Sequence, residues 1–275
     1  MKEKNKDGIF GGSVAAVYET HMVPLIFAGY AVDMAERVAA RRPSRVLEIA
    51  AGTGVVTRAM ATVLPASVAI VATDLNPAML AEAAAAGTSR PVEWKQADAM
   101  QLPFPDGSFD ATVCQFGAMF FPDKGQAFAE IRRVLAPGGV FIFSVWDKIE
   151  ENEFAETVTA ALAALFPENP PRFMVRIPHG YHDTVAIGMD LAAGGFPGKP
   201  EIATVPMRSR AASSRVASIA YCQGTPMRGE IEARDPARLG EATELSAAAL
   251  AHRFGNGAIE GKIQAHIVSI AREKA

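Results

Sequence analysis

The sequence predicts an α/β fold, a doubly wound, mostly parallel seven-stranded sheet with a helical cover over one edge. Three observations predict it. Short apolar runs alternate with amphipathic or alanine-rich stretches between residues 45 and 146, and such alternation implies parallel strands with helices on both faces. A glycine turn, Gly52-Thr53-Gly54, follows directly on the first apolar run. Asn76-Pro77, Gly87 and Pro137-Gly138-Gly139 punctuate the rest, and these residue types start or stop elements.

Each element follows from local pattern. Met1 to Asp7 reads as a charged, frayed tail. Ser13 to Tyr18 reads as a short helix. Pro24 is expected to open a second helix, because a missing amide costs nothing in the first turn. Leu25, Ala28, Val32, Ala35 and Ala39 give that helix an apolar stripe, and Arg41-Arg42-Pro43 end it. Strands are expected at Val46–Ala50, Ala69–Thr73, Val92–Ala97, Asp110–Phe116 and Val140–Val145. Helices are expected at Val55–Leu64, at Pro77–Ala86 with Gly87 as its stop, and at Gly125–Leu135. Beyond Trp146, helices are expected at Asn152–Leu165, Asp183–Ala193, Ser213–Cys222 and Pro236–Arg253, with strands at Ile202–Met207 and Ile263–Ile270. No linker composition interrupts the chain. We therefore expect one domain over 1–275, with a helical cover at 1–42, a core at 43–147 and an elaboration with the last strands at 148–275.

Composition narrows the function classes. Apolar residues make up 49% of the 275, enough for a buried core. The net charge is −3 and no Lys/Arg block stands out, so a nucleic-acid footprint is not expected. Two cysteines, Cys114 and Cys222, make neither a disulfide framework nor a Cys-rich metal site. The expected setting is reducing and cytoplasmic, with no metal and no membrane span.

In a doubly wound sheet, ligands bind beyond the carboxyl ends of the strands. Gly52 and Gly54 permit a sharp turn there and close approach of backbone to a ligand, while the next helix presents free amides. Alone, the same residues also make an ordinary tight turn. Asp74 stands about 20 residues further on, at the end of the second strand, where an acid can bind ribose hydroxyls. Asn76 is the better helix cap, which leaves Asp74 for the ligand. A nicotinamide fingerprint would place a third glycine where Thr57 stands. An NAD(P)-dependent oxidoreductase is therefore the alternative enzyme reading.

Five motifs occur in order: Glu48-Ile49-Ala50-Ala51-Gly52-Thr53-Gly54; Asp74-Leu75-Asn76-Pro77-Ala78-Met79-Leu80; Ala97-Asp98-Ala99; Leu102-Pro103-Phe104-Pro105-Asp106-Gly107-Ser108-Phe109-Asp110; and Leu135-Ala136-Pro137-Gly138-Gly139. Over Val46 to Trp146 the chain resembles the class I S-adenosylmethionine-dependent methyltransferases, in the branch similar to the ubiquinone/menaquinone C-methyltransferases (methyltransferase type 11). The resemblance implies a Rossmann-like sheet, S-adenosylmethionine as cofactor, and a role for each matching position. Glu48 and the turn Gly52, Thr53, Gly54 would hold the methionine amino end, with Ala50 standing where a first glycine is usual. Asp74 would bind the ribose, Leu75 and Met79 would pack near the adenine, and Asp98 with Ala99 would read its exocyclic amine. Gln115 would face the reaction site, and Tyr18 would cover the cofactor.

The acceptor is expected to be a small organic molecule, with no nucleic-acid partner; a homodimer is the candidate assembly. Transfer would be an in-line displacement in which positioning supplies much of the acceleration. A general base is needed only if the acceptor must lose a proton. His179, Tyr181, His182 and His21 are the candidates, though Pro178 to Asp183 also suits a turn and N-cap. Phe116, Met119, Phe120 and Phe121 are candidates for an apolar acceptor wall or for plain core. His252 and His266 read as structural. A non-catalytic protein that retains cofactor binding is the remaining alternative.

Overall fold

The structure, a computed structural model, describes residues 12–274. The tail expected at Met1–Asp7 lies outside the described residues. In chain order, helix α1 (Gly12–Val17) is followed by a π-helical stretch, Tyr18–Phe27, and by α2 (Ala28–Ala40). Strand β1 (Arg45–Ile49), α3 (Val55–Val63), β2 (Ala69–Asp74), α4 (Pro77–Ala86), β3 (Glu93–Gln96), β4 (Phe109–Gln115), α5 (Lys124–Val134) and β5 (Leu135–Trp146) come next. The remainder comprises α6 (Glu153–Leu165), α7 (Phe173–Arg176), α8 (Thr184–Ala193), β6 (Glu201–Ala211), α9 (Ser214–Gln223), α10 (Met227–Glu232), α11 (Leu239–Phe254) and β7 (Ile259–Ala271).

The strands form one seven-stranded sheet in the order β3-β2-β1-β4-β5-β7-β6. Four neighbouring pairs, from β3 to β5, are parallel. The strand order reverses between β1 and β4, which puts the switch point at their carboxyl ends. β7 runs antiparallel to β5: the Gly138 amide donates to the Arg272 carbonyl at 2.9 Å and the Arg272 amide to the Gly139 carbonyl at 2.8 Å. β6 ends the order and exposes Pro206, Arg208 and Arg210.

By compactness the chain divides into two units. Among the described residues, the first comprises 12–27, Trp146–Gly180 and Pro206–Gln264; the second comprises Ala28–Val145, Tyr181–Val205 and 265–274. Within the second, Phe128, Phe141 and Phe143 are fully buried, with ring centroids 4.6–5.7 Å apart. Burying each such ring is worth about 1.5–3 kcal/mol. Within the first, α6 and α9 pack on α11, and Phe154 meets Phe254 edge-on at 5.0 Å. The seam between α9 and α11 is polar and satisfied: Ser218 donates to the Thr243 carbonyl at 2.6 Å.

Two expectations change. Pro24 does not open a helix but lies inside the stretch Tyr18–Phe27. The wider π turn accommodates a proline because the i→i−4 ladder is already interrupted there. Likewise, the Pro137-Gly138-Gly139 turn does not precede β5 but sits within it. Phe109 pairs with Leu135 and Ala111 already with Val140, so the four residues Ala136 to Gly139 bulge opposite Asp110, with Gly138 at φ 81°.

Candidate functional site

β1 ends at Ile49, and its continuation turns sharply. Ala50 has φ 54°, Gly52 φ 56° and Gly54 φ 83°. The left-handed region suits glycine but costs an alanine roughly 1–2 kcal/mol. The Ala51 amide donates to the Thr73 carbonyl, and the Gly54 amide to the Ala51 carbonyl, both at 2.9 Å. Gly54 caps α3. A Cβ there would stand 2.8 Å from the Trp94 ring and 3.1 Å from the Ala83 methyl. Gly52 differs: nothing lies within 4 Å of the place its Cβ would take. The first glycine is thus open toward a ligand and the second is packed against the protein.

Glu48 is buried, and its Oε2 accepts a 2.5 Å hydrogen bond from the Thr57 hydroxyl. Burial pushes the Glu48 carboxyl up to about 8, against the pull of the Thr57 bond. In sequence, Thr57 signals only the absence of the glycine that a nicotinamide site would need. In the structure it is the partner that holds the loop acid.

Asp74, at the end of β2, accepts the Gly52 amide on Oδ2 and the Asn76 amide on Oδ1, each at 2.8 Å. Asn76 caps α4 as expected, its side chain accepting from Ala78 at 2.9 Å. Asp74 is not simply left for a ligand, however; its carboxylate organises the loop, accepting from the Leu75 amide as well, and retains part of its acceptor capacity. Burial raises its pKa despite these bonds. Next to it Leu75 is 63% exposed and Met79 is buried. Gln96 donates to the Leu75 carbonyl at 2.9 Å. Asp98 accepts the Met100 amide at 2.9 Å in a tight turn, and Ala99 beside it is nearly buried. Gln115 ends β4, half-buried and in register with Ser144.

Glu48, Ala50, Gly52, Thr53, Gly54, Asp74, Leu75, Met79, Asp98, Ala99 and Gln115 all belong to the second unit, where β1, β2 and β4 or the segments just after β1 to β4 carry them, except Met79 on α4. Tyr18 and His21 belong to the first unit, in the π-helical stretch; the Tyr18 ring lies 5.2 Å from that of Phe27. His179, also in the first unit, is buried, and its Nδ1 lies 2.8 Å from the Asp147 carbonyl. A carbonyl only accepts, so Nδ1 carries the proton. Tyr181, in the second unit, donates to Asp190 Oδ2 at 2.8 Å under the Lys124 ammonium, 4.6 Å from the ring. Burial and that bond push its pKa well above the ordinary phenol, which opposes a role as base. His182 is half-buried just before the Asp183 cap. Phe116, Met119 and Phe121 are buried and Phe120 is half-buried. His266 lies 3.0 Å from Thr204, and His252 is in the last turn of α11.

A nucleoside-bearing cationic cofactor fits this loop. Thr53 has a buried hydroxyl with no hydrogen-bond partner among the described residues, within the turn itself. Gly52 leaves open space, Leu75 offers an exposed apolar face and Asp74 has unused acceptor capacity. Among the described residues no group of three or more His, Cys, Asp or Glu could hold a metal ion, and no helix is long and apolar enough to cross a membrane.

A strand, glycine turn and helix, with an acid at the end of the adjacent strand, define a cofactor-binding α/β domain of the nucleoside class. More specifically, residues 47–143 match the family described as Methyltransferase domain, in agreement with the resemblance that the motifs of this stretch carry. The chain is 42% identical to the demethylmenaquinone methyltransferase of Thermus thermophilus over 111 residues, 40% of this chain and 49% of that protein. It is 34% identical to the ubiquinone/menaquinone biosynthesis C-methyltransferase UbiE of Stutzerimonas stutzeri over 132 residues, 46% of this chain and 52% of that protein. The aligned chain thus spans about half the length of these curated relatives. The YcgJ protein of Bacillus subtilis shares the fold, with a TM-score of 0.56 at 18% identity over 90% of this chain and 100% of that one.

Proposed function

We propose that the chain binds S-adenosylmethionine on the loop from Glu48 to Gly54 and transfers its methyl group to a small organic acceptor. The observation that carries the reading is the bond from the Gly52 amide to Asp74 Oδ2. It fixes the open glycine and the ribose-binding acid as one rigid edge. Asp74 would take the ribose hydroxyls, Leu75 would lie against the adenine, and Asp98 would accept from its amine. Glu48, Thr53 and the turn would hold the amino-acid end. Bound there, the cofactor supplies an electrophilic methyl on a sulfonium. Transfer would be an in-line displacement at that methyl, the acceptor's electron pair replacing the sulfur, and any acceptor proton would leave to a base or to solvent. The chain's own contribution is alignment and exclusion of water.

The printed names of the relatives support a quinone-derived ring as the first acceptor class to test, methylated on carbon. Residues 148–275 would be the substrate-side elaboration. The buried free cysteines are compatible with a cytoplasmic setting. Titration with S-adenosylhomocysteine and with NAD tests the cofactor. Binding of the first and not the second is expected; tight NAD binding alone would sink the reading. Turnover of labelled methyl donor with a reduced demethylated naphthoquinone then tests the acceptor, and product from a non-quinone acceptor alone would redirect it.

A further inference from the structure

We infer that the methyl group of Ala50 and the missing side chain of Gly117 form a size-matched pair that sets the cofactor loop against the turn after β4, and thereby sets cofactor affinity. The inference rests on the reading that S-adenosylmethionine binds at this loop. Ala50 holds φ 54°, a conformation in which glycine would be relaxed and alanine is not. An alanine persists at such a φ only where its surroundings hold it there.

The Ala50 methyl group fills the space beside Gly117. Gly117 has φ −99°, an ordinary value for any residue, so its backbone does not demand glycine. Space does. A Cβ on Gly117 would stand 2.5 Å from the Ala50 methyl and 2.8 Å from Cys114 Sγ. The partner turn cannot easily step aside. Phe116 is itself held at φ 52°. Its amide donates to the Ser144 carbonyl at 3.1 Å and to Ser144 Oγ at 3.2 Å, and its ring meets Tyr30 edge-on at 5.4 Å. The amides of Gly117 and Ala118 donate to the Cys114 sulfur.

Thus a clamped turn presses on Ala50. Two residues later the Gly52 amide reaches Asp74, so a displaced Ala50 moves the ribose edge as well. Strained non-glycine residues at two adjacent strand ends mark positions whose geometry is held for function. Ala50 and Gly117 are positioning residues for the cofactor, with no reacting atom of their own.

Calorimetric titration with S-adenosylhomocysteine tests this on the full chain, with thermal melting as the control for folding. Gly117→Ala is expected to weaken binding about tenfold, and Ala50→Gly with Gly117→Ala to restore it to within about threefold of wild type. Ala50→Gly alone is expected to weaken binding about threefold without lowering the melting temperature. A merely structural role would shift melting and leave the affinity of folded protein unchanged. Wild-type affinity in folded Gly117→Ala, or a double variant as weak as the single, overturns the inference. Should Gly117→Ala fail to fold, unchanged affinity in Ala50→Gly overturns it. If wild type binds and the variants are indifferent, the cofactor reading stands and only this pairing falls; if wild type does not bind, both fall.

Discussion

Thr57 donates its hydroxyl to Glu48 Oε2 at 2.5 Å, so the first turn of α3 holds the acid at the end of β1. The pair is buried, and it ties the two elements that bracket the glycine turn. The residue that breaks one cofactor fingerprint therefore completes another arrangement.

Replacing Thr57 by valine keeps the volume and removes the donor. Leaving a buried acceptor unpaired costs about 1–3 kcal/mol. The urea midpoint should fall accordingly, and a midpoint within error of wild type would show that Glu48 has another adequate partner.

Glu48 gives stability a definite pH dependence. Its folded pKa, about 8, lies above its ordinary 4.5, so the folded state binds the extra proton between these values. Stability contributed by this group is fully present below about 4.5 and is lost as pH rises through about 8. Glu48→Gln should remove that slope, so its stability relative to wild type should rise between roughly pH 5 and pH 9. Parallel pH profiles for the two proteins would contradict the assignment. A cofactor ammonium would favour the ionised acid, so S-adenosylhomocysteine binding should release a proton near neutral pH in wild type and not in Glu48→Gln.

Asp74→Asn retains an acceptor for one amide and loses the charge. It should stay folded and bind S-adenosylhomocysteine at least about tenfold more weakly, a loss of about 1.4 kcal/mol. Asp74→Ala also orphans the Gly52 and Asn76 amides, so melting should fall along with affinity. Unchanged affinity in Asp74→Asn would remove Asp74 as the ribose ligand.

Tyr181→Phe distinguishes a tether from a base. A phenol that donates to Asp190, with its pKa pushed up, is suited to holding α8 and not to accepting protons. Methyl transfer should persist within a few-fold while the melting temperature drops, since one hydrogen bond to a charged group is worth about 1.5–3 kcal/mol. Loss of turnover with melting unchanged would restore Tyr181 as a catalytic candidate.

The alternation of strand and helix was legible because caps mark it. Asn76-Pro77 and Gly87 bound α4 where expected, and Asp183 and Ser213 cap α8 and α9. The short helices α7 and α10 were not foreseen; four and six residues show no periodicity. Of the candidate site, Gly52 and Asp74 could be named because a glycine turn and an acid at a strand end announce their chemistry, and Asp98 because its motif carries the family resemblance. The φ of Ala50 could not, since alanine gives no sign of a left-handed backbone. Nor could Gly117, whose constraint comes from Ala50, 67 positions away in sequence. Trp94 packing on Gly54 was equally silent.

Pro206 in the terminal strand β6 has a consequence for how copies of this chain behave when concentrated. An open strand edge is a template on which another chain can add its own strand and grow a stack. A residue without an amide, flanked by the exposed charges of Arg208 and Arg210, makes that template defective. That edge is thereby protected against runaway β-addition, and self-association through β6 has to use side-chain surfaces in place of a shared sheet.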